Sequence, residues 1–214
     1  LVNWLTYNEP EDHLDLLVEE LDCKFLSNTK ANIGGLSFKD DSTLNRFKKK
    51  GHKTWRLNNE NDLLIRNKLG VESIQAALTK KNAKKILKKY GAADLLIVRH
   101  IWEHVFDQEK FAESLKILIK ENGIILLEIP DCSKLLESKD YTMLWEEHLF
   151  YYTMDTLISS ISKFGFQIVY KKITNYPNEP SINIAIKKTS LKKKFILNKL
   201  KLKNQITLGK DYKK

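Results

Sequence analysis

Two stretches constrain this chain more than any other feature. Leu95-Leu96-Ile97-Val98 is apolar at every position, and Gly123 to Ile129 is nearly so. A strand with one wet face alternates apolar and polar residues, so an unbroken apolar run demands cover on both faces, as in a parallel sheet between layers of helices. Helical spacing fills the intervals. Leu14, Leu17, Val18 and Leu21 repeat at three and four residues behind Pro10, Glu11 and Asp12; Leu44 and Phe47 precede three lysines and Gly51; Phe111, Leu115, Leu118 and Ile119 mark a helix from about Asp107; Thr153 caps one carrying Leu157, Ile158, Ile161 and Phe164. Strands are expected at 31–35, 53–57, 94–99, 123–129 (ended by Pro130), 166–172 and 182–187, with a weaker one within 72–78. The last two are close enough in sequence to pair antiparallel. The expectation is an α/β chain: a mostly parallel sheet of about seven strands, helices on both faces, and a C-terminal antiparallel hairpin. Ligands of such sheets sit beyond the carboxyl ends of the strands, which directs attention to the loops 34–41, 58–62, 99–107 and 130–152.

A length of 214 residues suits one domain and a tail. The formal charge of +10 does not describe that domain. Of 37 Lys and Arg, eleven lie from Lys187 to Lys214, and of 27 Asp and Glu only Asp211 lies there; the 26 of each that remain cancel. The basic tail, with Leu191, Phe195, Ile196 and Leu200 among its lysines, reads as a linker or the start of a further segment. A second cluster, Lys80 to Lys89, belongs to a helix whose Ala83, Ile86 and Leu87 turn inward and whose lysines form a solvated face. No stretch approaches the roughly 20 apolar residues of a membrane-spanning helix. Cys23 and Cys132 are far apart and outside any CxxC spacing, which fits a reducing, cytoplasmic setting.

Several segments fall in a telling order: Ala-Asn-Ile-Gly-Gly (31–35), the loop with Asp41, the strand ending at Asn58, Val-Arg-His-Ile-Trp-Glu-His-Val (98–105), Gly-Ile-Ile-Leu-Leu-Glu-Ile-Pro (123–130) and Trp-Glu-Glu-His-Leu-Phe-Tyr-Tyr-Thr (145–153). Together they resemble class I S-adenosylmethionine-dependent methyltransferases, within them the group that includes nucleotide-sugar C-methyltransferases. The resemblance spans about residues 30–187, and the Glu-His-Leu-x-Tyr-aromatic-Thr stretch is its most specific part. It implies a Rossmann-like fold, with an N-terminal helical segment (1–30) packed on a methyltransferase domain (31–188) and a basic tail (189–214).

The resemblance also implies a donor site. S-adenosylmethionine needs a close backbone approach, which Gly34 and Gly35 permit, and a group for the ribose hydroxyls. At the end of the second strand, where the family usually has an acid, stands Asn58. The first loop is about three residues longer than the family's Gly-x-x-Asp-Gly pattern, with Asp41 in the aspartate's place. His100 is expected to line the donor pocket, while Trp102, His104 and Tyr152 are expected to pack. His148 matches the histidine taken in sugar C-methyltransferases as the base that removes a proton alpha to a keto group; an imidazole suits that task at neutral pH. Glu147 would orient it or hold a substrate hydroxyl, and Trp145 and Tyr151 would face the acceptor. Trp145 replaces a tyrosine common in the family, so the group that stabilises the enolate is unassigned. Histidines 100, 104 and 148 with Glu103 or Glu147 lack His-Glu-x-x-His spacing, and no metal site is expected.

The function so implied is methyl transfer to a small polar acceptor, possibly a nucleotide sugar. The alternatives are oxygen or nitrogen methylation of another small molecule, and a catalytically inactive binding module with a basic surface. Nucleic acid is disfavoured as a partner, because Arg99-His100-Ile101-Trp102 stands where amino-methylating enzymes of nucleic acids carry an Asn or Asp-Pro-Pro-aromatic motif.

Overall fold

The computed structural model describes residues 11–26, 30–65, 70–140, 148–175 and 180–189. Their elements are helix α1 (His13–Leu21), strand β1 (Asn32–Gly35), helix α2 (Asp41–Lys49), β2 (Lys53–Arg56), α3 (Asn59–Leu63), α4 (Val71–Ala77), α5 (Lys80–Tyr90), β3 (Ala93–Arg99), α6 (Gln108–Leu118), β4 (Ile119–Pro130), α7 (Ser133–Ser138), α8 (Met154–Lys163), β5 (Phe166–Thr174) and β6 (Ser181–Lys188). Short 3-10 turns at Phe38–Asp40 and Trp102–His104 follow β1 and β3.

The strands form one sheet in the order β2-β1-β3-β4-β6-β5. The pairs β1–β2, β1–β3 and β3–β4 are parallel, and β6 runs antiparallel to both β4 and β5. The described residues thus give six strands. The segment 72–78, expected as a seventh, lies within and just beyond α4: Val71, Ile74 and Leu78 are buried at helical spacing.

The apolar runs are covered on both sides. Leu96, Val98, Ile125, Leu127, Ile182, Ile184 and Ile186 face α4, α5, α6 and α8, while Ile33, Leu95, Ile97, Leu126 and Ala185 face the stripe Leu14, Leu17, Val18 and Leu21 of α1 with Leu44 and Phe47 of α2. Helix ends carry the expected chemistry. Asp107 accepts from Lys110 N–H at 3.0 Å, and Thr153 and Thr156 cap α8 reciprocally. Gly51 and Gly91, both at positive φ, end the helices before β2 and β3. No described helix is long and apolar enough to cross a membrane. The basic tail lies outside the described residues from 190 onward.

Candidate functional site

The loop after β1 is organised by Asp40, which is fully buried. Its Oδ2 accepts the backbone N–H of Leu36 (2.7 Å) and Ser37 (2.9 Å), and its Oδ1 accepts that of Arg99 at the end of β3 (3.0 Å). Burial pushes its carboxyl up to about 6, against the pull of those N–H groups and of the Arg99 charge. Asp41, the residue expected to matter here, instead lies partly exposed at the start of α2 and pairs with Arg56 at 2.7 Å. The Ser37-x-x-Asp40 spacing of a capping box is the signal in the sequence that marks Asp40.

Both glycines of β1 make room for protein groups. A Cβ on Gly34 would lie 2.3 Å from Cζ2 of Trp55 in the paired strand, and one on Gly35 would meet Leu44 (2.8 Å) and Asp40 (2.9 Å). Trp55 in turn stacks on Tyr90, with ring centroids 4.6 Å apart and planes 8° from parallel. Beyond β2, Asn58 caps α3: its side-chain oxygen accepts from Asn61 N–H at 2.8 Å. The buried acid nearby is Asp62, which accepts from Asn58 N–H (2.9 Å), Lys89 (2.5 Å) and Tyr90 (2.8 Å). Burial alone would raise its carboxyl, but these partners outweigh it and hold the group below the ordinary value.

At the ends of β3 and β4 the sheet buries an ion pair. Arg99 Nε donates to Glu128 at 2.5 Å, and a second guanidinium nitrogen donates to the carbonyl of Lys39 at 2.5 Å. Glu128 also accepts from Ser181 (2.8 Å) and lies 2.7 Å from His13 of α1. Burial opposes its ionisation, yet the Arg99 charge and the His13 contact keep it well below the usual carboxylate range. Arg99, Glu128 and His13 were not singled out from the sequence. A charged pair at the carboxyl ends of two apolar strands is the pattern that would have shown two of them.

Next comes the segment with most chemical capacity. His100 has φ 52°, donates its N–H to the Glu128 carbonyl (2.8 Å), and sets its Nδ1 3.7 Å from Glu103. Glu103, 2% exposed, has two carboxylate oxygens without a hydrogen-bond partner. Its carbonyl accepts the N–H groups of Leu149 (3.0 Å) and Phe150 (3.2 Å), so the loop carrying His148 is held by the residue after Trp102. The rings of His104 and His148 meet edge to face, 4.7 Å between centroids, with Tyr151 5.9 Å from His148. Trp102 is buried against Phe111 and Phe164. Tyr152 is buried and bonded to Gln108. Trp145 and Glu147 lie outside the described residues.

The raised Asp40 carboxyl has a consequence for stability. A group whose folded pKa of about 6 exceeds its ordinary 3.8 binds its proton more tightly in the folded chain, so its stabilising contribution is present below 3.8 and fades as pH rises through about 6. The expected loss is roughly 3 kcal/mol for a shift of about two units. Glu128 acts in the opposite sense, its contribution lost only as pH falls below the ordinary 4.5. Urea unfolding between pH 4.5 and 7 should therefore show stability decreasing with pH in the wild type, and a much flatter profile in Asp40→Asn.

Comparison with known proteins agrees with this geometry. A family profile described as a methyltransferase domain matches residues 38–171. The C-methyltransferase NovU of Streptomyces niveus is 25% identical over 105 residues, which are 49% of this chain and 25% of that protein. Solved structures with the same fold include an S-adenosylmethionine-dependent methyltransferase from Clostridium acetobutylicum (TM-score 0.54, 11% identity, 88% of this chain and 96% of that one). They also include the 1,6-didemethyltoxoflavin-N1-methyltransferase of Burkholderia thailandensis with bound 1,6-didemethyltoxoflavin and S-adenosylhomocysteine (0.55, 9%, 84% and 80%). A third is the magnesium protoporphyrin IX methyltransferase of Synechocystis PCC 6803 (0.55, 10%, 84% and 83%).

Proposed function

The chain belongs to the methyltransferase-domain family, and from that premise we propose that it transfers a methyl group from S-adenosylmethionine to a small polar acceptor, with carbon methylation of a sugar-like substrate favoured. The observation that carries this reading is that several buried polar atoms without hydrogen-bond partners belong to segments that follow the parallel strands. They are the hydroxyls of Ser42 and Thr43 after β1, Oδ1 of Asn59 after β2, and both carboxylate oxygens of Glu103 after β3. Buried polar groups are normally satisfied, and although Asn32, Trp55, Trp102 and Asn183 carry further exceptions, those after the strands stand where ligands of such sheets bind.

Bound there, S-adenosylmethionine would supply an electrophilic methyl group on a positively charged sulfur. The residues present suit such a donor. The loop that follows Gly34 and Gly35 and the first turn of α2 with Asp41 would receive its amino-acid end, the glycines themselves being filled against Trp55, Leu44 and Asp40. Asn58 and Asn59 offer amides to ribose hydroxyls, and His100 would border the reacting centre. On the acceptor side, His148 is the side chain on which removal of the acceptor proton depends, with Glu147 orienting it and Trp145 and Tyr151 bounding the substrate. The similarity to NovU supports carbon as the methylated atom. A cytoplasmic setting belongs to the same reading, consistent with Cys23 and Cys132 forming no disulfide among the described residues.

Calorimetric titration with S-adenosylmethionine and S-adenosylhomocysteine tests the proposal directly. One site per chain is expected, and an absence of heat with both removes the enzymatic reading. With a candidate keto-sugar, exchange of the proton alpha to the carbonyl for solvent deuterium is expected if carbon is methylated, and no exchange if the target is oxygen or nitrogen.

A further inference from the structure

We infer that Arg99 is a positioning residue of the donor site: its guanidinium, clamped by Glu128, holds the loop after β1 in the shape that receives the donor, and helix α1 joins that clamp through His13. The inference deepens the proposed reading and rests on it. Gly35, the last residue of β1, pairs with Ile97 of β3. Arg99 therefore stands two residues beyond the last β1 pair, level with the loop rather than with the strand. It takes hold of that loop twice. Its backbone N–H donates to Asp40 Oδ1 at 3.0 Å, and a guanidinium nitrogen donates to the Lys39 carbonyl at 2.5 Å.

The loop is also closed on itself. Asp40 Oδ2 accepts from Leu36 and Ser37, Lys39 N–H donates to the Ser37 hydroxyl at 3.2 Å, and Asp40 N–H donates to the Ser37 carbonyl at 3.1 Å. A loop set in this way before any ligand arrives loses least to ordering when the ligand binds. The far side of the guanidinium is fixed as well. Arg99 and Glu128 are register partners across β3 and β4, their side chains are 2% and 1% exposed, and Arg99 Nε donates to the carboxylate at 2.5 Å. Desolvation of two charges offsets most of their attraction, so such a pair adds little stability over apolar side chains of the same volume. What it adds is direction: a rigid fork with one donor on each of two fixed acceptors.

Helix α1 enters from outside the segment 38–171 that the methyltransferase profile matches. Its first residue, His13, sets Nε2 2.7 Å from Glu128 Oε1, which also accepts from Ser181 at 2.8 Å, while Oε2 takes Arg99. Elements α1, β3, β4 and β6 thus converge on one carboxylate, and that carboxylate is joined to the donor loop through Arg99. Arg99 itself is buried, so it acts on the donor through the loop and not by touching it.

The test is calorimetric titration of the wild type and Arg99→Lys with S-adenosylmethionine and, separately, S-adenosylhomocysteine. Lysine keeps the charge that Glu128 requires, so no buried carboxylate is stranded, but a single ammonium on a flexible stem does not reproduce the fork. Affinity is expected to fall about tenfold, the worth of one hydrogen bond to a charged group. The factor should be the same for both ligands, because they share the amino-acid end. Acceptor KM and turnover at saturating donor should hold, a split that lost stability alone does not produce. His13→Leu should lose several-fold in donor affinity, and His13→Gln, whose amide reaches the same oxygen, should regain it. In the wild type, saturation with S-adenosylhomocysteine should shift the amide resonances of Leu36, Ser37 and Arg99 and the Nε–H resonance of Arg99, a reading that needs no variant to fold. Wild-type affinity in folded Arg99→Lys, a loss confined to the sulfonium ligand, or unmoved Arg99 and loop resonances at saturation would each overturn the assignment. Absence of donor binding by the wild type removes the methyltransferase reading and this inference with it, an outcome distinct from those three.

Discussion

Replacing His148 with alanine is expected to lower turnover about 10²- to 10⁴-fold, the range in which a positioned proton-transfer group contributes, while leaving the affinity for S-adenosylmethionine unchanged. The loop should survive the change, because it is tied to the protein through the backbone N–H groups of Leu149 and Phe150 on the Glu103 carbonyl. What disappears is the ring that meets His104 and Tyr151. Steady-state turnover, donor calorimetry and the rate of alpha-proton exchange together check the expectation. A variant that retains most of its turnover would show that acceptor activation does not run through this imidazole.

Gly34→Val is the second large effect, and it should appear in folding before it appears in binding. The first atom added lies 2.3 Å from the Trp55 ring, well inside van der Waals contact, and that ring is wedged against Tyr90. Overpacking of this kind costs about 3 kcal/mol or more, or roughly 6–12 °C in Tm for a chain of this size. Trp55→Leu, which opens the space, should restore part of the loss when combined with Gly34→Val, a non-additivity that marks direct contact. If the glycine instead served only the donor, Tm would hold and donor affinity alone would fall. Thermal unfolding and donor titration on the two single variants and the double variant separate these outcomes.

Much of the fold was legible in the sequence because burial on both faces leaves a plain trace. Leu95 to Val98 could only be a covered strand, and Thr153 and Gly91 mark helix ends by chemistry that acts over a few residues. The segment 72–78 misled for a related reason. The buried apolar residues Val71, Ile74 and Leu78 follow helical spacing, but the run is short and Val71 lies outside the window 72–78, which hid the period. At the site, His100 stood out as an imidazole directly after a strand, and His148 through the resemblance of the segment 145–153 to the family. Asp40 did not: its neighbour Asp41 carries the same charge, the Ser37-x-x-Asp40 spacing is a weak local mark, and the meeting of Leu36, Ser37 and Arg99 N–H groups is what sets the two apart in the fold. Contacts across the sheet, such as His13 with Glu128, leave no mark within any local window.

Strand β6 is the last element formed along the described chain, yet it lies inside the sheet, between β4 and β5. While the polypeptide is being synthesised, β4 must therefore wait with one edge bare, and Glu128 without Ser181, until residues 181–188 emerge. A nascent chain halted before that point presents the unpaired rim of an apolar strand, the feature by which incomplete sheets aggregate. Truncation between β5 and β6 should accordingly yield insoluble product rather than a smaller working domain, and chaperone dependence during translation should end abruptly once β6 has cleared the ribosome.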